Sequence, residues 1–203
     1  MDQPLAFSAP SERNKQPILE VLRTLLPPQG RALEIACGTG QHAAWFAQHL
    51  PGWQWQPTDL TDELFADVAA RCAQAGLARV QPPLVLDVRS PVWPVAGTAY
   101  DLVYCANMLH IAPWECCAGL MQGAARQLAP HGQLVTYGPY FEDEVPAADG
   151  NLSFDASLRA RNPAWGVRRR EDVQAEAQRA GLRLAARHAM PANNLLLVWQ
   201  RAG

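Results

Sequence analysis

The chain has 203 residues, 17 basic and 19 acidic side chains, and a formal net charge of -2. This length suits one α/β domain with a full core and is short for two, so a single domain over residues 1–203 is predicted. The balanced charge excludes a global field that would draw the protein to nucleic acid or to anionic lipid. We therefore expect a small-molecule partner, with no nucleic acid and no membrane, and the oligomeric state stays unknown.

Neither a membrane span nor a secretion signal is predicted. No apolar run approaches the roughly 20 residues that cross a bilayer, and residues 1–10 lack the basic start and apolar centre of a signal peptide. The five cysteines are odd in number and form no Cys-x-x-Cys pair, which argues against disulfides and against a zinc site. A cytoplasmic protein with buried thiols and no metal is expected.

The amino-terminal stretch is polar and then amphipathic. Apolar residues at helical spacing follow Pro17, which suits a first helical turn, and Pro27 and Pro28 end the pattern. A helix is therefore predicted from about Pro17. The polar cluster Glu-Arg-Asn-Lys at 12–15 precedes it, and its composition alone favours a solvated tail over a lid.

The next segment predicts a strand, a turn and a helix. Residues 32–36 form an apolar run interrupted only by Glu34, as in a buried parallel strand, and residues 43–50 have helical apolar spacing. Gly38 and Gly40 lie between them. They allow a tight turn whose N–H groups approach a ligand at the positive end of the helix, which predicts a nucleotide-type cofactor site.

Glu34 distinguishes among the cofactors. A dinucleotide-binding turn normally follows a wholly apolar strand, because a carboxylate beneath the pyrophosphate would repel it. S-adenosylmethionine has no phosphate and carries ammonium and sulfonium groups, which a carboxylate attracts. We therefore predict S-adenosylmethionine as the cofactor. The alternative is an ordinary strand, turn and helix without a ligand.

A second strand is predicted over 53–58, and Asp59 ends it about 20 positions beyond Gly40. At this spacing a carboxylate accepts hydrogen bonds from the ribose hydroxyls. Asp59 could instead cap the following helix, although Thr61 or Asp62 is also available for that role. We predict Asp59 and its neighbour Leu60 as cofactor-binding residues.

A third strand over 83–88 follows a helix that ends near residues 75–76. The carboxylate of Asp87 could accept from an adenine amino group, and the N–H of Val88 could donate to a ring nitrogen. Both are predicted as cofactor-binding residues, although Asp87 would equally suit the start of a turn.

Strands and helices continue to alternate. Further strands are predicted over 100–106, 133–137, 182–190 and 195–200, and helices over 113–128 and 171–180. The alternation predicts an α/β fold with a doubly wound, mostly parallel seven-stranded sheet whose last strand is antiparallel. Residues 138–165 show no sustained period beyond a short helix at 154–161, and are predicted to form a long binding loop over the active-site edge.

Several strings resemble known families. Glu34-x-Ala36-x-Gly38-x-Gly40 resembles the first motif of the class I S-adenosylmethionine-dependent methyltransferases, with Ala36 in place of its first glycine. The chain also resembles a little-characterised methyltransferase-like family in four strings. They are Glu-Arg-Asn-Lys at 12–15, Ala-Asn-Met-Leu-His-Ile-Ala-Pro-Trp at 106–114, Phe-Asp-Ala-Ser-Leu-Arg at 154–159 and Met-Pro-Ala-Asn-Asn-Leu-Leu at 190–196. The resemblance covers nearly the whole chain. It implies the Rossmann-like methyltransferase fold and methyl transfer to O, N or S of a small molecule, and leaves the acceptor open.

The resemblance also implies roles for individual residues. It implies that residues 1–30 form an amino-terminal lid and helix. Within them, the cluster at 12–15 would act as the lid, with Arg13 and Asn14 at the cofactor. Asn107 becomes a further cofactor-binding residue, and His110 a site residue.

Three side chains are candidates for catalysis. His110 is the candidate general base because its reference pKa lies near neutrality, and the alternative is a structural histidine that donates to a backbone carbonyl. Tyr137 and Tyr140, at and beyond the end of the fifth strand, are candidate groups on the acceptor side.

Strand direction predicts where the acceptor binds. The carboxyl ends of the parallel strands meet at one edge of the sheet, and the sixth strand, ending at Met190, joins them. The loops 138–165 and 191–194 therefore face one crevice. The predicted substrate-binding residues are Asp155, Arg159, Arg161, Asn193 and Asn194. The arginines would suit an acidic acceptor, whereas the asparagines could be turn formers only.

Two other function classes stay open. A non-catalytic sensor or partner subunit could bind S-adenosylmethionine or S-adenosylhomocysteine with the same residues. A nicotinamide-dependent oxidoreductase is disfavoured by Glu34 and by the antiparallel final hairpin.

Overall fold

The computed structural model describes residues 4–95 and 97–203; residues 1–3 and 96 of the predicted domain lie outside the described part. The helices are α1 (Ala9–Leu25), α2 (Gln41–His49), α3 (Phe65–Gln74), α4 (Glu115–Gln127), α5 (Asp149–Arg161) and α6 (Arg170–Arg179). The strands are β1 (Gly30–Ile35), β2 (Trp53–Asp59), β3 (Leu84–Val85), β4 (Tyr100–Ala106), β5 (Leu128–Phe141), β6 (Arg168–Arg169), β7 (Leu182–Met190) and β8 (Asn194–Arg201). Within the described part, no helix is long and apolar enough to cross a membrane.

The strands form one sheet in the order β3-β2-β1-β4-β5-β8-β7, and β6 pairs with the end of β5. Strands β1 to β5 are mutually parallel, and β8 is antiparallel to both of its neighbours. The predicted mostly parallel, doubly wound sheet with an antiparallel last strand is confirmed. Because β7 runs parallel to β5, its carboxyl end at Met190 lies at the same edge as the ends of β1, β2, β4 and β5.

Alternating side chains of the strands build a core on each face of the sheet. Leu33, Val103 and Trp199 pack on the face covered by α4 and α6. Trp55 and Tyr104 pack on the face covered by α1 and α2. All five cysteines are buried and free, as expected for packing residues.

The first helix differs from the prediction. It begins at Ala9, capped by Ser8, whose Oγ accepts a hydrogen bond from Ser11 N at 3.3 Å, so the predicted start near Pro17 is wrong. Pro17 lies inside the helix. The polar cluster 12–15 is therefore helical, with Asn14 buried, because the capped first turn extends α1 upstream of its proline.

The predicted long loop after the fifth strand is also mostly regular. Strand β5 continues to Phe141, and α5 covers Asp149–Arg161. Helix α5 includes the short helix predicted over 154–161 and begins five residues earlier; it buries only Asn151 and Leu158, so apolar periodicity did not indicate its full extent. The third strand is shorter than predicted, with only Leu84–Val85 paired.

Candidate functional site

A cavity of about 1480 Å³ opens at the carboxyl edge of the sheet. It is lined by the glycine turn after β1, by residues at the ends of β2, β4 and β5, by the first turns of α1 and α5, and by the loop between β7 and β8. Single-ligand pockets are typically about 300–1000 Å³. The cavity therefore has room for a nucleoside-type cofactor together with a second small molecule.

Asp59 joins the glycine turn to the end of β2. Its Oδ2 accepts from Gly38 N at 2.7 Å, and its Oδ1 accepts from Leu60 N at 2.7 Å. Helix α3 begins only at Phe65 and has no side-chain cap, so Asp59 is not its cap. Asp59, Gly38 and Leu60 line the cavity, and each carboxylate oxygen keeps a lone pair for a ligand hydroxyl.

Gly38 and Gly40 both require glycine for backbone conformation, but they have different roles in the turn. Gly38 and Gly40 take φ of 52° and 71°, in the left-handed region that favours glycine. A Cβ on Gly40 would lie 3.0 Å from the side chain of Val68. Gly40 does not line the cavity, so it shapes the turn and the start of α2 without reaching a ligand.

Helix α1 forms a second wall through Arg13 and Asn14. Asn14 Oδ1 lies 2.6 Å from His42 Nε2, and His42 Nδ1 lies 3.2 Å from the Tyr104 hydroxyl. Burial lowers the pKa of His42 to about 4, so the ring is neutral. Nε2–H then donates to Asn14, Nδ1 accepts from Tyr104, and the Asn14 amino group is left to face the hydroxyl of Tyr137.

His110 occupies a short 3₁₀ turn, Leu109–Ile111, after β4. Its ring is buried, lines the cavity and packs edge-to-face on Phe154 with centroids 5.4 Å apart. No hydrogen bond joins the ring to any other residue that the structure describes, so the structural role of donating to a carbonyl is not observed. Burial, followed by the charges of Arg168 and Arg161, lowers the pKa of His110 to about 4, which leaves a neutral imidazole that can accept a proton.

The two tyrosines of β5 point to opposite faces. Tyr137 lines the cavity; burial raises the pKa of its hydroxyl, whereas Asn14 and Asn194 stabilise the ionised form. Tyr140 is buried in the core and donates from its hydroxyl to Thr136 Oγ1 at 3.1 Å. The prediction of Tyr140 as a catalytic group is wrong, because three positions along a strand reverse the side-chain direction.

Glu34 is also directed away from the cavity. It is 2% exposed, and its Oε2 accepts from Trp55 Nε1 at 2.5 Å. Burial raises the pKa of Glu34 to about 8, so the side chain is largely a neutral acid at neutral pH. The prediction that its carboxylate attracts the cofactor's cationic groups directly is wrong, since the side chain is buried beneath the turn and hydrogen-bonded to Trp55.

The raised pKa of Glu34 predicts a pH-dependent stability. In the unfolded chain Glu34 ionises near its ordinary value, whereas in the folded protein it stays protonated up to about pH 8. The free energy of unfolding therefore falls as the pH rises from about 4.5 to about 8, by up to about 4 kcal/mol. Glu34→Gln cannot ionise, so its stability relative to wild type is expected to rise between pH 5 and pH 8.

Urea unfolding of both proteins at the two pH values measures this difference. Glu20→Gln is the matched control, because Glu20 is exposed on α1. A stability difference between Glu34→Gln and wild type that is equal at both pH values would contradict the assignment.

The predicted adenine residues lie at the cavity, but one is already engaged. Val88 and Asp87 both line it. Arg89 donates to the two carboxylate oxygens of Asp87, from Nε at 3.0 Å to Oδ1 and from Nη2 at 2.6 Å to Oδ2, which lowers the pKa of Asp87. An adenine amino group would therefore share the carboxylate with this arginine.

The predicted substrate residues divide into two groups. Arg161, Asn193 and Asn194 line the cavity, whereas Asp155 and Arg159 do not. Asp155 accepts from Val167 N and from Arg159 Nε, each at 2.8 Å. The prediction that Asp155 and Arg159 face the substrate is therefore wrong, because they bind each other and the segment before β6.

The loop between β7 and β8 reaches the cavity, as strand direction predicts. Asn194 Nδ2 donates to the carbonyl of Pro191 at 3.1 Å, which is the turn-forming role. The carbonyl of Asn193 accepts from Asn151 Nδ2 at 3.1 Å, so this loop is tied to α5.

Backbone strain is concentrated at this site. Among the described residues, four that are not glycine have positive φ between 56° and 59°: Ala36, Asn107, Ala192 and Asn193. All four line the cavity. Non-glycine residues adopt this conformation at a cost, and such strain clusters at ligand sites.

Sequence reasoning missed two kinds of residue at or beside the site. His42 lies inside α2 and Tyr104 inside β4, so the sequence pattern indicates that both are core residues. Phe154 and Ile111 form an apolar rim, 38% and 45% exposed respectively. The one available signal for Phe154 is its place at the start of the string at 154–159.

Several solved structures with the same fold are named as methyltransferases. The mitomycin 7-O-methyltransferase MmcR matches with a TM-score of 0.78 at 18% identity, covering 96% of this chain and 56% of that chain. An O-methyltransferase family protein from Burkholderia thailandensis matches at 0.76 and 20%, covering 95% and 57%. PigF with SAH matches at 0.77 and 17%, covering 94% and 56%. This chain therefore spans little more than half of these proteins.

The sheet order and these matches define the class of fold as the Rossmann-like methyltransferase fold. The chain itself belongs to the family described as "Protein of unknown function (DUF938)", whose sequence profile matches residues 5–201.

Proposed function

We propose that the protein is a methyltransferase that transfers the methyl group of S-adenosylmethionine to O, N or S of a small molecule. The observation that carries the proposal is the convergence of Asp59, the glycine turn, Asn107 and His110 on one large cavity. The cofactor, when bound, supplies an electrophilic methyl group. The protein positions the two reactants and excludes water.

The ribose is assigned to Asp59 and the adenine to the region of Leu60 and Val88. Arg13 and Asn14 approach from α1 and are assigned to the amino-acid end of the cofactor, where a guanidinium suits a carboxylate. Whether residues 12–15 also close as a lid stays a prediction.

His110 is assigned as the general base. Bound S-adenosylmethionine would supply the methyl group with its sulfur as the leaving group, so the acceptor would gain a methyl group and lose a proton. The imidazole takes the proton that the acceptor loses. Tyr137, held beside Asn14 and Asn194, can hydrogen-bond to the acceptor and orient it.

We further propose an acidic acceptor. Arg161 lines the cavity and forms no salt bridge with any residue of the described part. A base whose pKa is about 4 has little driving force at neutral pH, and an anion beside Arg161 would raise that pKa towards the working range. The apolar rim of Phe154 and Ile111 would contact the acceptor's apolar part.

The alternative is a protein that binds S-adenosylmethionine or S-adenosylhomocysteine without catalysis. A thermal-shift screen with both compounds and with nicotinamide dinucleotides tests the cofactor, because a ligand at about 100 times its Kd adds roughly 2.7 kcal/mol of stability. Stabilisation by the two adenosyl compounds alone is expected. An assay of methyl transfer to a panel of hydroxy, amino and thiol acids, each with its amide as control, then distinguishes an enzyme from a sensor. We also propose a cytoplasmic location.

A further inference from the structure

Arg168 lies in β6, partly buried beside the turn that carries His110. Its Nε donates to the carbonyl of Leu109 at 2.9 Å, and its Nη2 donates to the carbonyl of Ala112 at 2.6 Å. Nη2 also donates to Ala164 O at 2.8 Å. The guanidinium therefore spans the backbone on both sides of His110.

The arginines that follow it have a different role. Arg169 and Arg170 form salt bridges with Asp143 and Glu142 respectively. Over residues 4–95 and 97–203, no carboxylate lies within salt-bridge distance of Arg168. Burying an arginine without a carboxylate partner is costly, so its hydrogen bonds to carbonyls account for its position.

The turn that carries His110 cannot satisfy all of its backbone carbonyls with its own hydrogen bonds. It consists of three residues, Leu109–Ile111, and the end of so short a helix leaves carbonyls without internal partners. Arg168 satisfies two of them, and the carbonyl of His110 itself accepts from Gly166 N at 3.0 Å. The segment 164–168 therefore supplies the hydrogen bonds that fix the turn.

Helix α5 fixes that segment in its place. Asp155 accepts from Val167 N at 2.8 Å, and Arg159 holds the second oxygen of Asp155. Gly166 has a φ of 152°, which favours glycine, and a Cβ there would lie 2.8 Å from Asp155 Oδ1. The contacts run from α5 through this segment to Arg168 and on to the His110 turn.

We propose that Arg168 is a positioning residue for methyl transfer, which holds the backbone on both sides of His110 and thereby keeps the imidazole at the cavity. This inference rests on the proposed function of His110. Arg168 and Arg161 are the charged groups that act on the ring, so the loss of Arg168 removes one of two positive charges that oppose its protonation.

Arg168→Met tests the proposal, because methionine keeps much of the side-chain length and loses the donors. The variant is expected to lower kcat tenfold or more, with KM for S-adenosylmethionine within twofold. The acid limb of the kcat profile is expected to move to higher pH. The amide of Ile111, which donates to Met108 O at 2.9 Å, is expected to exchange at least tenfold faster. Arg168→Lys keeps the charge but cannot reach both carbonyls, so it is expected to speed the exchange with a smaller shift of the pH profile.

Arg169→Met is the matched control, because Arg169 is the next residue and pairs with Asp143 on the surface. Unchanged Ile111 exchange and unchanged kcat in Arg168→Met would overturn the proposal. If the wild-type protein methylates none of the acceptors, the proposed function fails on its own. Ile111 exchange and an NMR titration of the His110 ring then still decide whether Arg168 holds the turn.

Discussion

Replacing His110 by alanine is expected to lower kcat for methyl transfer about a hundredfold or more, the scale of general-base catalysis. The ring lines the cavity, has no hydrogen-bond partner among the described side chains and is neutral because burial lowers its pKa to about 4. The affinity for S-adenosylhomocysteine is expected to stay within twofold, since the residue faces the acceptor. Steady-state kinetics and calorimetry measure the two quantities separately.

The pH profile provides a further check on His110. The base is competent when neutral, so the rate is expected to fall only as the pH drops through the pKa of His110, which the bound acceptor sets. His131→Ala is the matched control, because His131 is exposed at the start of the regular part of β5. A His110→Ala variant with the wild-type rate and pH profile would show that the histidine is not the base.

Asp59→Ala is expected to weaken the binding of S-adenosylhomocysteine tenfold or more, and up to about a hundredfold. The ribose hydroxyls would lose a charged acceptor, worth roughly 1.5 to 3 kcal/mol. The turn would also lose the carboxylate that joins Gly38 N to Leu60 N. Calorimetry measures the affinity, and thermal unfolding measures the contribution to the turn.

Asp62→Ala provides the control for Asp59, because Asp62 is exposed in the same connection. Asp59→Asn separates the two roles, since its amide oxygen can still accept one backbone N–H. Affinity within a factor of two of wild type, together with a lowered melting temperature, would mean that Asp59 stabilises the turn without binding the cofactor.

The architecture was predictable because its signals are local. Apolar runs, glycine turns and helical spacing alternate along the chain, and strand direction then places the β7–β8 loop at the cavity. The beginning of α1 was not predictable from Pro17, because the cap at Ser8 outweighs the proline. Only residues 154–161 of helix α5 were predicted as helical, because the helix buries only Asn151 and Leu158 and so has a weak periodic signal.

The site was predictable where the backbone decides it. Residues that leave the ends of β2 and β4, such as Asp59 and His110, must emerge at the edge that holds the cavity. Side-chain direction was harder, because it depends on distant partners. Glu34 turns to Trp55, which lies 21 positions away, and Asp155 turns to Val167 across the end of α5.

The four non-glycine cavity residues with positive φ affect how this protein can be engineered. They are Ala36, Asn107, Ala192 and Asn193. Glycine adopts positive φ without the steric cost that Ala36 and Ala192 bear, so a search for thermostable variants would select glycine at these positions. The same substitutions would loosen the backbone that shapes the cavity. Thermostability should therefore be sought in the rest of the chain, and changes at the cavity judged by binding and turnover.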